Sequence, residues 1–247
     1  MSAPVNDPWA RLRSRTSARI GLGRSGAGLP VRANLEFQYA HARARDAVHR
    51  AVDFDRLAAD LAPLETITLD SAAPDRATYL RRPDLGRRLS EASEAALATA
   101  LPCDVLFAVA DGLSADAVQA HAAPIVHATL PLLDGLAVGP VVLARQARVA
   151  IGDVIGHRLA AKLVVLLVGE RPGLTVADSL GAYITHAPEP GRRDSERNCI
   201  SNIHPGGGQS YEAAARKIAW LTRQGLGRGV TGIALKDDLP AAKALPE

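Results

Sequence analysis

The stretch KLVVLLVGE (162–170) decides the fold, because six apolar residues follow one another from Leu163 to Val168. A short apolar run of this kind, closed by Gly169 and a charged residue, is typical of a strand buried on both faces. Strands of this type belong to sheets that helices cover on both sides. The run therefore predicts a central strand of an α/β protein.

Weaker apolar runs predict further strands at DVLFAVA (104–110), GPVVLARQARVAI (139–151), LGAYITHA (180–187) and GVTGIALK (229–236). Helical patterns lie between them at SADAVQAHAAPIVHATLPLL (114–133) and SYEAAARKIAWLTRQG (210–225). This alternation predicts an α/β fold of the Rossmann/flavodoxin-like kind, with a mostly parallel sheet and flanking helices. In such sheets, ligands bind beyond the carboxyl ends of the strands.

The first hundred residues follow a different pattern, which predicts a helical region at 1–100 ahead of an α/β domain at 101–247. Helices are predicted in WARLRSRTSARI (9–20), NLEFQYAHARARDAVHRAV (34–52) and RPDLGRRLSEASEAALATAL (82–101). The stretch GLGRSG (21–26) matches the G-x-G-x-x-G pattern of dinucleotide sites. Because no strand is predicted before it, a turn that ends a helix is the better interpretation.

The charge and hydropathy of the chain exclude several classes of partner. The formal net charge is +3, and arginines alternate with acidic residues, which is typical of solvated helix faces rather than of a nucleic-acid surface. No run of about 18 apolar residues could span a membrane, and MSAPVNDPWARLRSR carries no apolar signal core. Two cysteines do not make a disulfide framework. These features predict a cytoplasmic protein that binds neither nucleic acid nor membrane.

Three stretches carry candidate site residues. Glu170 directly follows the strongest strand, where its carboxylate could accept a hydrogen bond from a ligand or lie in a surface turn. Cys199 is either a nucleophile, which requires a nearby base and a lowered pKa, or an inert thiol. The loop ADGLS (110–114) is either an ordinary connection capped by Ser114 or a ligand contact. No second Cys or His lies at zinc-ligand spacing from Cys199.

The stretch NIHPGG (202–207) differs in one residue from D-x-H-x-x-G, the signature of cobalamin proteins in which a histidine replaces the cofactor's own base on cobalt. The aspartate of that signature raises the basicity of the ligating imidazole. Asn202 cannot do so, which leaves the near-match weak on its own.

Several long stretches, in order, resemble one family, the small (light) subunits of the adenosylcobalamin-dependent enzyme ethanolamine ammonia-lyase. They are TSARIGLGRSGAGLP (16–30), YLRRPDLGRRL (79–89), ADGLSADA (110–117), RVAIGDVIG (148–156), LVGERPGL (167–174), ERNCISNIHPGG (196–207) and GIALKD (232–237). The resemblance covers nearly the whole chain, from about Asp7 to Asp237.

The resemblance implies a subunit rather than a complete enzyme. The family enzyme converts ethanolamine to acetaldehyde and ammonia by radical chemistry, with ethanolamine bound mainly by a large subunit in a hetero-oligomer. The small subunit covers the cofactor at the subunit interface, and residues 1–100 are expected to serve subunit contacts. Adenosylcobalamin carries the chemistry.

Matched residue by residue, the family motifs imply cofactor contacts at Val149, Glu170 and Cys199, with no catalytic residue and no metal ligand in this chain. The cofactor is expected base-on, so His204 is not a cobalt ligand. Gly206–Gly208 are then expected to let the backbone approach the cofactor.

Two other functions compete with this expectation. The chain could be a stand-alone α/β enzyme, a hydrolase or reductase that uses Glu170 and Cys199. It could also be an adaptor that binds the large subunit without touching the cofactor. Some relatives carry a long N-terminal extension linked to bacterial microcompartments, whereas this chain starts almost directly at DPWARL (7–12). Plain cytosol is therefore expected, with encapsulation as the alternative.

Overall fold

The computed structural model describes residues 7–238 apart from Ser17 and Ala98. Its centre is one six-stranded sheet in the order β1-β3-β2-β4-β5-β6. The strands are β1 Thr66–Asp70, β2 Cys103–Ala110, β3 Val141–Arg145, β4 Ala161–Gly169, β5 Leu180–His186 and β6 Asn198–Ile203. The helices are α1 Ala10–Arg13, α2 Val31–His49, α3 Phe54–Asp60, α4 Arg76–Arg81, α5 Glu91–Ala96, α6 Ala115–Thr129, α7 Ile151–Arg158 and α8 Tyr211–Arg228.

The predicted α/β class is confirmed, but the sheet is mixed. Strands β1 to β4 pair in parallel, whereas β5 pairs antiparallel with both β4 and β6. The connection from β4 to β5 is residues 170–179, which contain no helix. A parallel crossover needs a dozen or more residues, usually with a helix, so a link this short favours an antiparallel return. The mostly parallel, Rossmann/flavodoxin-like character is therefore not confirmed.

Helices cover the two faces of the sheet unequally. On one face α6 and α8 bury a core that includes Val105, Phe107 and Leu163. On the other face α7 lies over β2 and β4, where Leu106, Val164 and Leu166 form a second core. The side chains of β4 alternate between these two cores, which explains why the whole strand is apolar.

The helical description of residues 1–100 is wrong for one segment. Strand β1 (TITLD) pairs in register with β3 and belongs to the same sheet as the rest of the chain. It lies at the sheet edge and is only partly buried, so it lacks the continuous apolar run that identified the other strands. The predicted helix at 9–20 is reduced to α1, with Ser17 outside the described residues. The predicted helix at 82–101 shrinks to a short 3₁₀ turn, Leu85–Arg87, and α5, with Ala98 likewise outside.

Two of the predicted strands also change. The run at 139–151 is a strand only over β3, after which the chain turns into α7. The predicted strand at 229–236 does not form; Gly229 ends α8 in the left-handed region and Gly232–Ala234 is a short 3₁₀ turn. The stretch GLGRSG precedes α2, and no described residue before it belongs to a strand, in agreement with the predicted turn.

Candidate functional site

An open face of the sheet lies over β5 and β6, beyond the reach of α7. Tyr183 pairs in register with Leu166 on β4 and with Cys199 on β6, so the three side chains share one face. Cys199 is exposed and Tyr183 is partly buried. We use the name "open face" for Glu170, Gly181, Tyr183 and Cys199, with Val149 at its border.

Glu170 is held at the end of β4 by two donors. The Ser179 hydroxyl donates to Oε2 at 2.7 Å, and the backbone N–H of Asn202 donates to the same oxygen at 3.2 Å and to Oε1 at 3.4 Å. A Cβ on Gly181 would lie 3.1 Å from Oε1, so the glycine keeps that oxygen uncrowded. The carboxylate is thus fixed in place while Oε1 keeps capacity to accept a further hydrogen bond.

Cys199 and Tyr183 lie directly opposite each other across the antiparallel pair of β5 and β6. Cys199 is exposed as a residue, but neighbouring protein atoms displace part of the water around its thiol. This partial burial raises the pKa of the thiol. The neighbouring Glu170 carboxylate also raises the pKa, and the Tyr183 hydroxyl opposes the shift. A raised pKa keeps the thiol protonated, which is the opposite of what a nucleophilic cysteine needs.

Val149 lies in the connection between β3 and α7, and hydrogen bonds to buried side chains hold this connection in place. The buried Asp111 carboxylate, which is 3% exposed, accepts the backbone N–H groups of Gln146 at 3.0 Å and Ala147 at 2.9 Å. The Tyr79 hydroxyl donates to the Ala147 carbonyl at 3.1 Å. Asp111 therefore positions Val149 and is not itself open to a ligand. Of the two interpretations of ADGLS (110–114), the ordinary connection rather than the ligand contact is correct at Asp111.

His204 has both ring nitrogens engaged inside the chain. Nδ1 accepts the backbone N–H of Gly206 at 3.1 Å, which assigns the proton to Nε2, and Nε2 donates to Asn202 Oδ1 at 3.0 Å. A Cβ on Gly208 would collide with the Asn202 carbonyl and the imidazole ring, at 2.3 and 2.5 Å. Packing against His204 thus accounts for Gly208 without any ligand. Among the described residues, no three His, Cys, Asp or Glu side chains gather as a metal site.

The structure brings Glu170 and Cys199 to one face and places Val149 at its border. Val149 and Tyr183 line one cleft, while a Cβ on Gly181 would meet both Glu170 and Tyr183. Tyr183 and Ser179 were not identified from the sequence. The alternation in LGAYITHA contained the signal for Tyr183, because Leu180, Ala182 and Ile184 point to the opposite core. No comparable pattern marks Ser179, whose role depends on the β4–β5 connection.

The fold and site define an α/β protein in which one sheet face is left open and is bordered by polar and apolar groups. A family profile for the ethanolamine ammonia-lyase light chain (EutC) matches residues 6–236. The small subunit of ethanolamine ammonia-lyase from Bradyrhizobium diazoefficiens is 57% identical over 238 residues, covering 94% of this chain and 91% of that protein.

Two further relatives bear the same name. The protein from Pseudomonas syringae pv. tomato is 50% identical over 96% of this chain and 85% of its own length. The protein from Rhodopseudomonas palustris is 50% identical over 96% of this chain and 93% of its own length. The chain belongs to the ethanolamine ammonia-lyase light chain family. In the part of the chain that the structure covers, no helix is both long and apolar enough to cross a membrane.

Proposed function

We propose that this chain is the small subunit of ethanolamine ammonia-lyase and that its open face binds adenosylcobalamin through Val149, Glu170 and Cys199. One observation carries the proposal. These three residues come from the connection after β3, the end of β4 and strand β6. Val149 lines a cleft with Tyr183, Cys199 pairs with Tyr183 across the sheet, and a Cβ on Gly181 would meet both Glu170 and Tyr183. Residues that served only local structure would have no reason to converge on one surface.

The chemistry of the open face fits a corrin. The edge of a corrin carries neutral amide side chains, and Glu170 Oε1 has room to accept an amide N–H. The thiol of Cys199, kept neutral by its raised pKa, and the side chain of Val149 offer contacts without charge. An uncharged, partly apolar surface with a small number of fixed polar groups is the usual lining of a cofactor site.

The role of this chain is to bind and orient the cofactor and to keep water from one side of it. When bound, adenosylcobalamin supplies the radical that starts the conversion of ethanolamine to acetaldehyde and ammonia. We assign no catalytic residue to this chain and place ethanolamine mainly on the large subunit. We also propose a base-on cofactor, which the two internal hydrogen bonds of His204 support.

The large subunit is the proposed partner, and residues 1–100 are proposed to supply contacts to it. Helix α2 supports this assignment. Its Ala40 and Ala47 are buried, but large apolar side chains on it are exposed: Leu35 at 58%, Phe37 at 41% and Tyr39 at 68%. Leu35 and Tyr39 lie on one side of the helix because they are four residues apart, and exposed apolar side chains grouped in this way are typical of an interface.

The cytoplasm, or a bacterial microcompartment within it, is the proposed location. The two cysteines, Cys103 and Cys199, are both free thiols, as expected in a reducing compartment. The stand-alone enzyme that would use Glu170 and Cys199 finds no support, because the Cys199 thiol has the wrong pKa for a nucleophile.

Ammonia release from ethanolamine tests the proposal. The chain and its large subunit are purified separately, and each is assayed alone and together, with and without adenosylcobalamin. We expect activity only when both subunits and the cofactor are present. Turnover by this chain alone would favour the stand-alone enzyme. If the large subunit alone binds cobalamin as well as the two subunits do together, only the adaptor role would remain for this chain.

A further inference from the structure

One buried histidine on α6 links the two segments that hold Glu170 in place. His121 is 4% exposed, and both of its ring nitrogens form hydrogen bonds. Nε2 donates to the Asp178 carbonyl at 2.9 Å, so Nδ1 is free to accept from the Tyr211 hydroxyl at 2.7 Å. These partners lie 57 and 90 residues away along the chain. The imidazole therefore serves tertiary contacts rather than its own helix.

The contact with Asp178 supports the first donor to Glu170. Asp178 directly precedes Ser179, whose hydroxyl donates to Glu170 Oε2 at 2.7 Å. On the other side of Asp178, the Ala177 carbonyl accepts from the buried Ser114 hydroxyl at 2.8 Å. The start and the middle of α6 thus hold two successive carbonyls of the β4–β5 connection, and the next residue carries the donor.

The contact with Tyr211 supports the second donor to Glu170. Tyr211 is the first residue of α8 and follows Gln209 by two residues. The backbone N–H of Gln209 donates to the Asn202 carbonyl at 2.8 Å. The backbone N–H of Asn202 in turn donates to Glu170 Oε2 at 3.2 Å. A fixed start of α8 therefore restrains Asn202.

We infer that His121 is a positioning residue for cofactor binding, because its imidazole holds both segments whose donors orient the Glu170 carboxylate. The inference rests on the proposed function, in which Glu170 accepts a hydrogen bond from the cofactor. The direction of the carboxylate matters because a hydrogen bond weakens steeply as its geometry departs from linear. An apolar side chain in place of the imidazole would leave a carbonyl and a hydroxyl without their partner, and both segments would shift to regain one.

The test is a double-mutant cycle between His121 and Glu170. The Kd of adenosylcobalamin is measured by absorbance on the complex with the large subunit, in the absence of ethanolamine. H121L should raise the Kd about fivefold in the wild-type background but less than about twofold in E170A, where no carboxylate remains to be oriented. H121Q should bring the Kd back to within about twofold of the wild type, because its amide can still donate to the Asp178 carbonyl.

His127 on the same helix provides the matched control. Its Nε2 contacts the Asp60 carbonyl at 2.9 Å, on α3 rather than in either segment that holds Glu170. H127L should therefore leave the Kd unchanged. If H121L does not assemble with the large subunit, Y211F takes its place in the cycle, because it removes only the hydroxyl that donates to His121. Y211F alone should raise the Kd about two- to threefold.

Two results would overturn the inference. If H121L, or Y211F in its place, raises the Kd by the same factor in the wild-type and E170A backgrounds, His121 does not act through Glu170. If H121L lowers the midpoint of urea unfolding and leaves the Kd unchanged, the histidine serves stability alone. The proposed function fails separately, when the wild-type complex does not bind adenosylcobalamin or when E170A leaves its Kd unchanged.

Discussion

Arg197 and Asp153 form a buried ion pair in which Nη1 lies 2.5 Å from Oδ1 and both side chains are 2% exposed. Asp153 belongs to the first turn of α7, and Arg197 immediately precedes β6. The pair thus connects the segment that carries Val149 to the strand that carries Cys199. Burial raises the pKa of Asp153, and the adjacent guanidinium opposes the shift.

Breaking this pair should destabilise the chain strongly. R197M leaves the Asp153 carboxylate buried without its cation, and the free energy of unfolding should fall by about 3–5 kcal/mol. Urea unfolding measures the change. The double variant R197M/D153L removes both charges and should recover most of the loss. As a control, R158Q breaks an exposed pair and should cost no more than about 1 kcal/mol. Equal losses for R197M and the double variant would show that the pair is not the cause.

Replacing Glu170 with Gln should weaken cobalamin binding with little effect on turnover. Hydrogen bonds to charged groups contribute about 1.5–3 kcal/mol, and Gln keeps one acceptor, so the Kd should rise about tenfold. S179A removes the 2.7 Å hydrogen bond that orients the carboxylate and should give a smaller rise. The kcat at saturating cofactor should persist in both. A collapse of kcat with unchanged affinity would contradict the binding role.

Replacing His204 with Ala should leave activity within about tenfold of the wild type, corresponding to about 1.4 kcal/mol. The imidazole serves the loop through Asn202 and Gly206, and its loss disturbs that loop only. The decisive measurement is the electron paramagnetic resonance spectrum of the reduced cofactor, with nitrogen-15 introduced into the histidines. The nitrogen splitting should remain that of the unlabelled cofactor base. A splitting that changes with the label would identify a histidine on cobalt.

Stability should fall as pH is lowered below about 6.5, in part because of His121. Its Nδ1 accepts from Tyr211 at 2.7 Å and its Nε2 donates to the Asp178 carbonyl at 2.9 Å, so the ring is neutral in the folded chain. Burial lowers its pKa from the ordinary value of 6.5. Below 6.5 the unfolded chain therefore binds more protons, and the free energy of unfolding rises with pH up to that value and then levels off.

Urea midpoints at pH 5.5 and 7.5 measure this dependence. H121Q should reduce the difference between the two midpoints. H186Q is a useful comparison, because burial also lowers the pKa of His186. His186 therefore contributes to the pH dependence of stability in the same direction as His121. If H121Q shows the full wild-type difference, the contribution of His121 is absent.

The elements with continuous apolar runs could be predicted from the sequence, and the others could not. Strands β2 and β4 lie between two cores, and β5 is buried along most of its length, so the apolar runs predict all three within a residue or two. The sequence does not predict β6, because the exposed positions Cys199 and Ser201 give NCISNI the composition of a loop. The apolar content of a segment indicates how deeply it is buried but not the direction in which the strand runs, so the sequence does not predict the antiparallel pairing of β5.

The position of Glu170 at a strand end was predictable, but its surroundings were not. Ser179 reaches Glu170 only because the chain reverses between β4 and β5, and Asn202 reaches it only because β6 forms. Asp111 was a candidate ligand contact on sequence grounds, and only its burial beneath Gln146 and Ala147 shows its positioning role. These relationships depend on tertiary pairing, which no local pattern encodes.

The exposed apolar side chains of α2 have a consequence for the life of the chain in a cell. On the proposed assignment of α2 to the subunit interface, a copy made without its partner would keep Leu35, Phe37 and Tyr39 in water, where exposed apolar side chains promote aggregation. Orphan copies should therefore be substrates for chaperones and proteases, and synthesis of the two subunits should need to be balanced. Helix α2 would in this way make the abundance of the small subunit follow that of the large one.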